Sequence, residues 1–250
     1  MNPVDRLEKN MESFTKSEKR IASYIVEDPI LVVQLTAEEL AKEAGSSKTA
    51  FIRLCQKIGY QGYSEFRFSL SKFLVSHKTE NEEELPIIQS LTSVYSDHIR
   101  QIAQTVTEKE HKAFCRLIGE SNRIKIFGYN RTGMAAQQLR MRMAKIGYDC
   151  EYTTDLLLMK DIVNSLKEND LVIIFTIKGS SYYDDIVKQF KMNQATGVLI
   201  TMNPSTPLSR EVDLTINLPL VSRSTTHFLD DQAVFFVYIE ILLAGLAELD

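Results

Sequence analysis

Hydrophobic positions along residues 36–59, TAEELAKEAGSSKTAFIRLCQKIG, fall in two short helical blocks parted by a glycine. In the first block Leu40, Ala41 and Ala44 share one side, and Thr36 with Glu39 three residues later spells a capping box. Gly45 stands where a helix exit calls for a positive φ, and Ser47 is placed to cap the next helix. Phe51, Leu54, Cys55 and Ile58 recur at i, i+3, i+4 and i+7, so the second helix buries one stripe, and Gly59 ends it. Upstream, Ile21, Tyr24 and Ile25 stripe a helix over 17–27, and Pro29 suits the first turn of a short one over 29–34. Downstream, Phe66, Leu70, Phe73 and Leu74 stripe 64–75. Residues 1–77 thus predict an all-α domain of about five helices.

The pattern then changes. Residues 78–86, KTENEEELP, are polar, acidic and end in proline, and read as a linker. Ile88, Leu91, Tyr95, Ile99, Ile102 and Val106 stripe a long helix; Thr107 and Glu110 form a second capping box ahead of Phe114, Leu117 and Ile118. Apolar runs over 123–127, 150–153, 171–176, 197–201 and 214–218 predict strands. Helical patterns over 132–146, 155–166, 181–192 and 230–246, with a short helical piece over 207–210, alternate with them. The continuous apolar run Leu171–Thr176 is what a strand buried on both faces shows. Residues 87–250 therefore predict an α/β three-layer domain with a five-stranded parallel sheet; in a sheet ordered 2-1-3-4-5 strands one and three would be neighbours at the switch point.

Charge separates the two regions further. The net charge is −4 over 250 residues, yet residues 1–78 carry 12 basic against 10 acidic groups and the remainder 17 against 23. Within 46–78, Lys48, Arg53, Lys57, Arg67, Lys72 and Lys78 face only Glu65. A locally basic head on an acidic body is the footprint of nucleic-acid binding by one part of the chain. The 3 cysteines, Cys55, Cys115 and Cys150, are scattered and show no metal-ligand spacing, so neither a zinc site nor a disulfide framework is expected. The N-terminus has no apolar signal run, and no stretch approaches the ~18 apolar residues of a membrane span.

Helix, glycine turn, helix is the spacing of a helix-turn-helix DNA reader. Opposite the buried stripe of its second helix lie Ser47, Lys48, Thr49, Arg53, Gln56 and Lys57. Hydroxyls at a helix start bond phosphates or base edges, and an arginine one turn later can fork onto guanine. Ser47, Lys48, Thr49, Arg53 and Lys57 are the candidate DNA contacts. The bland alternative is an ordinary helical hairpin with a solvated face.

A second chemistry is written in two strand-to-helix loops. One runs Gly128-Tyr129-Asn130-Arg131-Thr132-Gly133, the other Thr176-Ile177-Lys178-Gly179-Ser180-Ser181. Both lead into helix N-termini, where N–H groups and the dipole favour an anion, and hydroxyls with a lysine suit a phosphate. Any one such loop could owe its Gly, Ser and Thr to capping alone; two neighbouring ones point to a ligand. The candidate effector residues are Gly128, Asn130, Thr132, Thr176, Lys178, Gly179, Ser180 and Ser181, expected to converge between the ends of strands one and three.

Together these segments resemble the RpiR-type family of bacterial transcription regulators, which pair an N-terminal helix-turn-helix domain with a C-terminal SIS (sugar isomerase) domain. GSSKTAFIRLCQKIGYQGYSEFRFSL carries the likeness in the head. IKIFGYNRTGMAAQQLRMRMAKIG, DLVIIFTIKGS and VLITMNPSTPLSREVDLTINLP carry it in the body. Family members typically read G-x-G-x-S-G in the first loop and S-x-S-G-E in the second. Here Asn130 replaces the second Gly and Thr132 the Ser; Thr176 keeps a hydroxyl, Lys178 replaces the second Ser and Ser180 the acidic residue.

The resemblance implies a cytoplasmic, DNA-binding regulator of sugar metabolism. Its partners would be double-stranded operator DNA, a sugar phosphate effector and a second copy of the chain, in a homodimer or larger homo-oligomer. No cofactor, metal or membrane is implied. Apolar stripes over 88–106 and at Val234, Val237, Ile241 and Leu242 are expected to join the copies. The alternative is a sugar-phosphate isomerase on the same sheet, with Glu240 or His227 as general base. A basic 77-residue head serves no purpose in a simple isomerase, so no catalytic residue is assigned. A structural scaffold, the third alternative, would have neither activity.

Overall fold

The computed structural model describes residues 2–76, 86–221 and 230–249, which fall into two compact units, one within 2–76 and the other made of 86–221 with 230–249. The predicted linker, apart from Pro86, and His227 lie outside the described residues.

The first unit is helical throughout: α1 (Pro3–Asn10), a 3-10 turn at Met11–Ser13, α2 (Lys16–Glu27), α3 (Pro29–Gln34), α4 (Ala37–Glu43), α5 (Lys48–Lys57) and α6 (Tyr63–Ser76). Helix α1 is the element the apolar pattern does not show. Its eight residues are mostly polar and only Pro3 and Leu7 are buried, but Asn2 caps it, accepting from the Asp5 N–H at 2.8 Å, with Pro3 in the first turn. Helix α2 starts on a capping box of Thr15 and Glu18. Helix α4 follows Thr36 directly; the Glu39 half of its predicted box lies outside the described side chains.

The α4–α5 turn is built as its spacing predicts. Gly45 has φ +56°, Ser46 N–H donates to the Ala41 carbonyl at 2.7 Å and Gly45 N–H to Lys42 at 3.0 Å. Helix α5 leaves the same way, with Gly59 at φ +92° and Tyr60 N–H on the Cys55 carbonyl. Phe51, Leu54, Cys55 and Ile58 join one core with Ile21, Ile25, Leu40, Phe66 and Leu70. Each fully buried aliphatic or aromatic side chain there contributes about 1.5–3 kcal/mol.

The second unit opens with α7 (Ile87–Thr105) and α8 (Glu108–Glu120), the latter on the predicted Thr107–Glu110 box. Then follow β1 (Arg123–Gly128), α9 (Gly133–Lys145), β2 (Cys150–Thr153), α10 (Leu156–Val163), β3 (Asp170–Thr176), α11 (Asp184–Met192), β4 (Thr196–Thr201), β5 (Leu214–Asn217) and α12 (Gln232–Ala247). All four strand pairings are parallel and the sheet runs β2-β1-β3-β4-β5, the order that makes β1 and β3 neighbours. Phe127, Val172, Ile174 and Leu199 on one face pack with α10 and α11; α9 and α12 pack together on the other, with Phe175 edge to face on Phe235 at 5.5 Å. At the lower rim, Arg123 and Asp170 begin adjacent strands in register and form a forked ion pair. Burial opposes charge on Asp170, but the guanidinium and the Lys167 N–H outweigh it and hold this carboxyl below the usual range.

One expectation is corrected. Val234 and Leu242, assigned to a surplus apolar face, are fully buried in their own unit, because α12 lies against both α8 and α9. Val237 is half-buried and only Ile241 of that set is exposed. Among the apolar positions left open are Ile87 and Ile88 at the start of α7, with Leu157 and Leu158 of α10 and Met192 of α11.

Candidate functional site

The first candidate region is the outer face of α5. Ser47, Lys48, Thr49, Arg53, Gln56 and Lys57 are all exposed, opposite the buried stripe. Their roles then divide. Ser47 Oγ accepts the Ala50 N–H at 3.2 Å and so caps the helix, keeping its own proton to donate outward. Lys57 is turned inward to the domain: its Nζ lies 2.9 Å from both the Glu18 carboxylate and the Ser13 carbonyl, and 5.3 Å from the centre of the Phe14 ring. That ammonium, with the Thr15 N–H, holds the Glu18 carboxyl below its ordinary range. Gln56 reaches the Gln61 carbonyl at 3.3 Å. Lys48, Thr49 and Arg53 form the outward-facing remainder.

The segment after α5 shows why its sequence matters. Tyr60 and Tyr63 flank Gly62, and their rings turn under the helix: Tyr63 meets Phe51 edge to face at 5.4 Å and Tyr60 meets Phe66 at 5.3 Å. Tyr63 OH sits 2.7 Å from the Val32 and Leu35 carbonyls, which ties α6 to the α3 end. The outer face of α5 is therefore carried by a rigid base. Cys55 belongs to that base, and burial pushes its thiol up to about 12, away from reactivity.

The second region is the upper edge of the sheet. Gly128 ends β1 under so little space that a Cβ would overlap the Thr132 carbonyl oxygen; one on Gly133 would strike Thr154 at 2.5 Å. Between them Asn130 takes φ +58°, a conformation asparagine tolerates better than most side chains, so the family's glycine is replaceable there. Gly179, at φ +73°, lies so close to Thr206 that a Cβ would overlap its Oγ1.

Two of the four hydroxyls expected to meet a ligand also serve the backbone of their own loops. Thr132 is buried and donates to the Tyr129 carbonyl at 3.0 Å. Thr176, 4% exposed, accepts the Gly179 N–H at 3.1 Å. Asn203 Nδ2 donates to the Lys178 carbonyl at 2.9 Å, and Thr201 Oγ1 to the Ile177 carbonyl at 3.2 Å. Lys178, Gly179 and Ser180 are half-exposed and Ser181 is exposed, so the outward side of the second loop remains accessible. The two loops are stitched together by Tyr183, whose hydroxyl accepts the Tyr129 N–H at 3.0 Å. Sequence reasoning missed Tyr183, Asn203 and Thr206. The available signal was the Tyr182-Tyr183 pair, since capping calls for no aromatic there. Beside the first loop a cavity of about 580 Å³ opens, lined by Tyr129, Asn130, Gly133, Met134, Gln137, Tyr152 and Thr154.

Glu240, named for the isomerase alternative, lies on α12 and is ion-paired with Arg142 of α9. Among the described residues no group of three or more His, Cys, Asp and Glu could hold a metal, and no helix is long and apolar enough to cross a membrane.

Comparison with known proteins agrees with this division. Residues 1–77 match the helix-turn-helix domain of the rpiR family, and residues 117–247 match the SIS domain. An HTH-type transcriptional regulator of Haemophilus influenzae is 25% identical over 85% of this chain and 78% of its own length. Among solved structures, the Vibrio vulnificus NanR protein complexed with ManNAc-6P superposes with a TM-score of 0.61 at 21% identity, covering 99% of this chain and 92% of that one. The sugar isomerase domain of the RpiR transcription factor from Sphaerobacter thermophilus gives 0.55 at 18% identity, over 66% of this chain and 91% of that one.

Proposed function

The chain belongs to the RpiR-type family of transcription regulators, and on that premise we propose that α5 reads double-stranded operator DNA while the second unit answers to a sugar phosphate. The observation that carries the DNA half is the outer face of α5, where Lys48, Thr49 and Arg53 stand exposed on a helix whose other face is fully buried. Arg53 would fork onto a base edge; Ser47, Lys48 and Thr49 would bind phosphates or bases at the helix start. Lys57 would act mainly by holding α5 on α2, with its charge reaching DNA only if the Glu18 pair opens.

For the effector, the outward side of 178–181 supports a phosphate. Gly128, Asn130 and Gly133 shape the first loop, and Thr132 and Thr176 hold the two loops rather than touching the anion. Effector binding would bias the heads between DNA-competent and incompetent arrangements, which requires different affinity for the two. The active form would be a cytoplasmic homodimer, since a palindromic operator demands two-fold protein symmetry; exposed Ile87 and Ile88 support α7 as part of the contact.

The reading is of a regulator without catalysis, and the ion pair that Glu240 makes with Arg142 supports it. One preparation assayed for sequence-selective DNA binding and for aldose–ketose turnover of sugar phosphates tests this. DNA selection without turnover is expected; turnover without DNA selection would establish the isomerase instead.

A further inference from the structure

Two aromatic side chains stand at the mouth of the effector loops. Tyr129 of the first loop and Tyr182, which follows Ser181 in the second, meet edge to face with ring centroids 5.2 Å apart. They remain 39% and 41% exposed. Below them Tyr183, 1% exposed, accepts the Tyr129 N–H at 3.0 Å and lies 3.5 Å from the Phe175 carbonyl.

Gly128 and Phe175 are the last residues paired between β1 and β3. The Tyr183 hydroxyl therefore occupies the next rung, where the strands part. It fixes the backbone that carries the Tyr129 ring, while its own ring lies 5.1 Å from that of Tyr182. With this rung taken by the chain's own hydroxyl, a ligand held at 178–181 meets the two exposed rings instead of entering between the strands.

The two rings cross at 71°, so a flat partner meets the face of one ring and the edge of the other; an aromatic face favours a partner with a flat apolar face. A closed pyranose supplies one, through the C–H groups along one side of the ring; an extended open-chain sugar does not. An isomerase must hold the open chain with its carbonyl next to a base, whereas a sensor has no such need. We infer that Tyr129 and Tyr182 form a platform for ring-closed sugar phosphates, so that the site selects the pyranose and discriminates against the open-chain form. This rests on the phosphosugar reading above and adds the class of sugar to it.

The test is calorimetric titration of the full chain with the 6-phosphates of glucose, mannose, galactose and their 2-acetamido counterparts, each against its own hexitol 6-phosphate, with inorganic phosphate alongside. For the tightest pair, the pyranose is expected to bind about tenfold better than the hexitol. Tyr182→Ala should bring that ratio near one, and Tyr182→Phe should keep it. A ratio near one in the parent, or an unchanged ratio in a folded Tyr182→Ala protein, overturns the platform. If inorganic phosphate still binds in that case, the phosphate site stands and only the platform falls. If neither the sugar phosphates nor inorganic phosphate bind at millimolar concentration, both fall.

Discussion

The outer face of α5 and the two loops above the sheet draw on the same residue types, hydroxyls and cations, but use them differently. On α5, Lys48, Thr49 and Arg53 point to solvent. In the loops, Thr132 and Thr176 are buried and spend hydrogen bonds on Tyr129 and Gly179. The cause lies in the backbone. A helix satisfies its own N–H and C=O groups, which leaves its side chains for a partner. A loop does not, so nearby hydroxyls serve its amides and carbonyls first. A polar residue on a helix face is thus a better guide to what touches a ligand than a polar residue in a turn.

The comparison breaks most visibly at the glycines. Gly128→Ala forces a Cβ into overlap with the Thr132 carbonyl oxygen. It should cost the second unit about 3 kcal/mol or more. Urea unfolding followed on each unit separately should show the loss in the second unit and none in the first. Arg53→Ala comes next, with an expected loss of about 1–3 kcal/mol in specific DNA affinity and an unchanged unfolding midpoint, because the side chain is exposed. Fluorescence anisotropy with a selected duplex reads the first and a melt the second; a folded Arg53→Ala protein with parental affinity removes Arg53 from the contacts.

Much of this was legible in advance because it depends on periodicity. The strands and the parallel α/β class followed from short apolar runs alternating with helical stripes, and the α4–α5 turn from Gly45 and Ser47. Helix α1 escaped because only Pro3 and Leu7 of its residues are buried, although Asn2-Pro3 was a readable start. In the two loops above the sheet the glycines and hydroxyls were visible but their wiring was not. Tyr183 reaches 54 positions back to Tyr129, and Asn203 25 back to Lys178, contacts that no local spacing encodes.

Thr176→Val sharpens the contrast at intermediate size. The valine keeps the shape but leaves the Gly179 N–H unpaired, an expected cost of about 1–3 kcal/mol to the second unit's stability, with weaker effector binding as a consequence. Chemical denaturation and calorimetry on one sample should show both; a loss of binding without a loss of stability would make Thr176 a direct ligand contact. Lys57→Ala is the smallest effect. The pair with Glu18 is partly exposed, so its removal should cost under about 1 kcal/mol. Because Lys57 lowers the Glu18 pKa, the pair's stabilisation is present above the unfolded carboxyl's range and is lost as pH falls through the folded one. The gap between variant and parent should therefore be widest at neutral pH and narrow in acid, where only the Ser13 carbonyl and Phe14 contacts of Lys57 remain, as differential melts across that range can check.

The central claim is that one chain couples DNA reading to a sugar phosphate, and a single titration addresses it. A duplex is selected from random sequence by the full-length protein, and its affinity is measured by anisotropy with and without saturating sugar phosphates at fixed ionic strength. A coupling of about 1–3 kcal/mol, a change of roughly 5- to 150-fold for at least one sugar phosphate, is the predicted result. Identical DNA affinity with every sugar phosphate that calorimetry shows to be bound would contradict it.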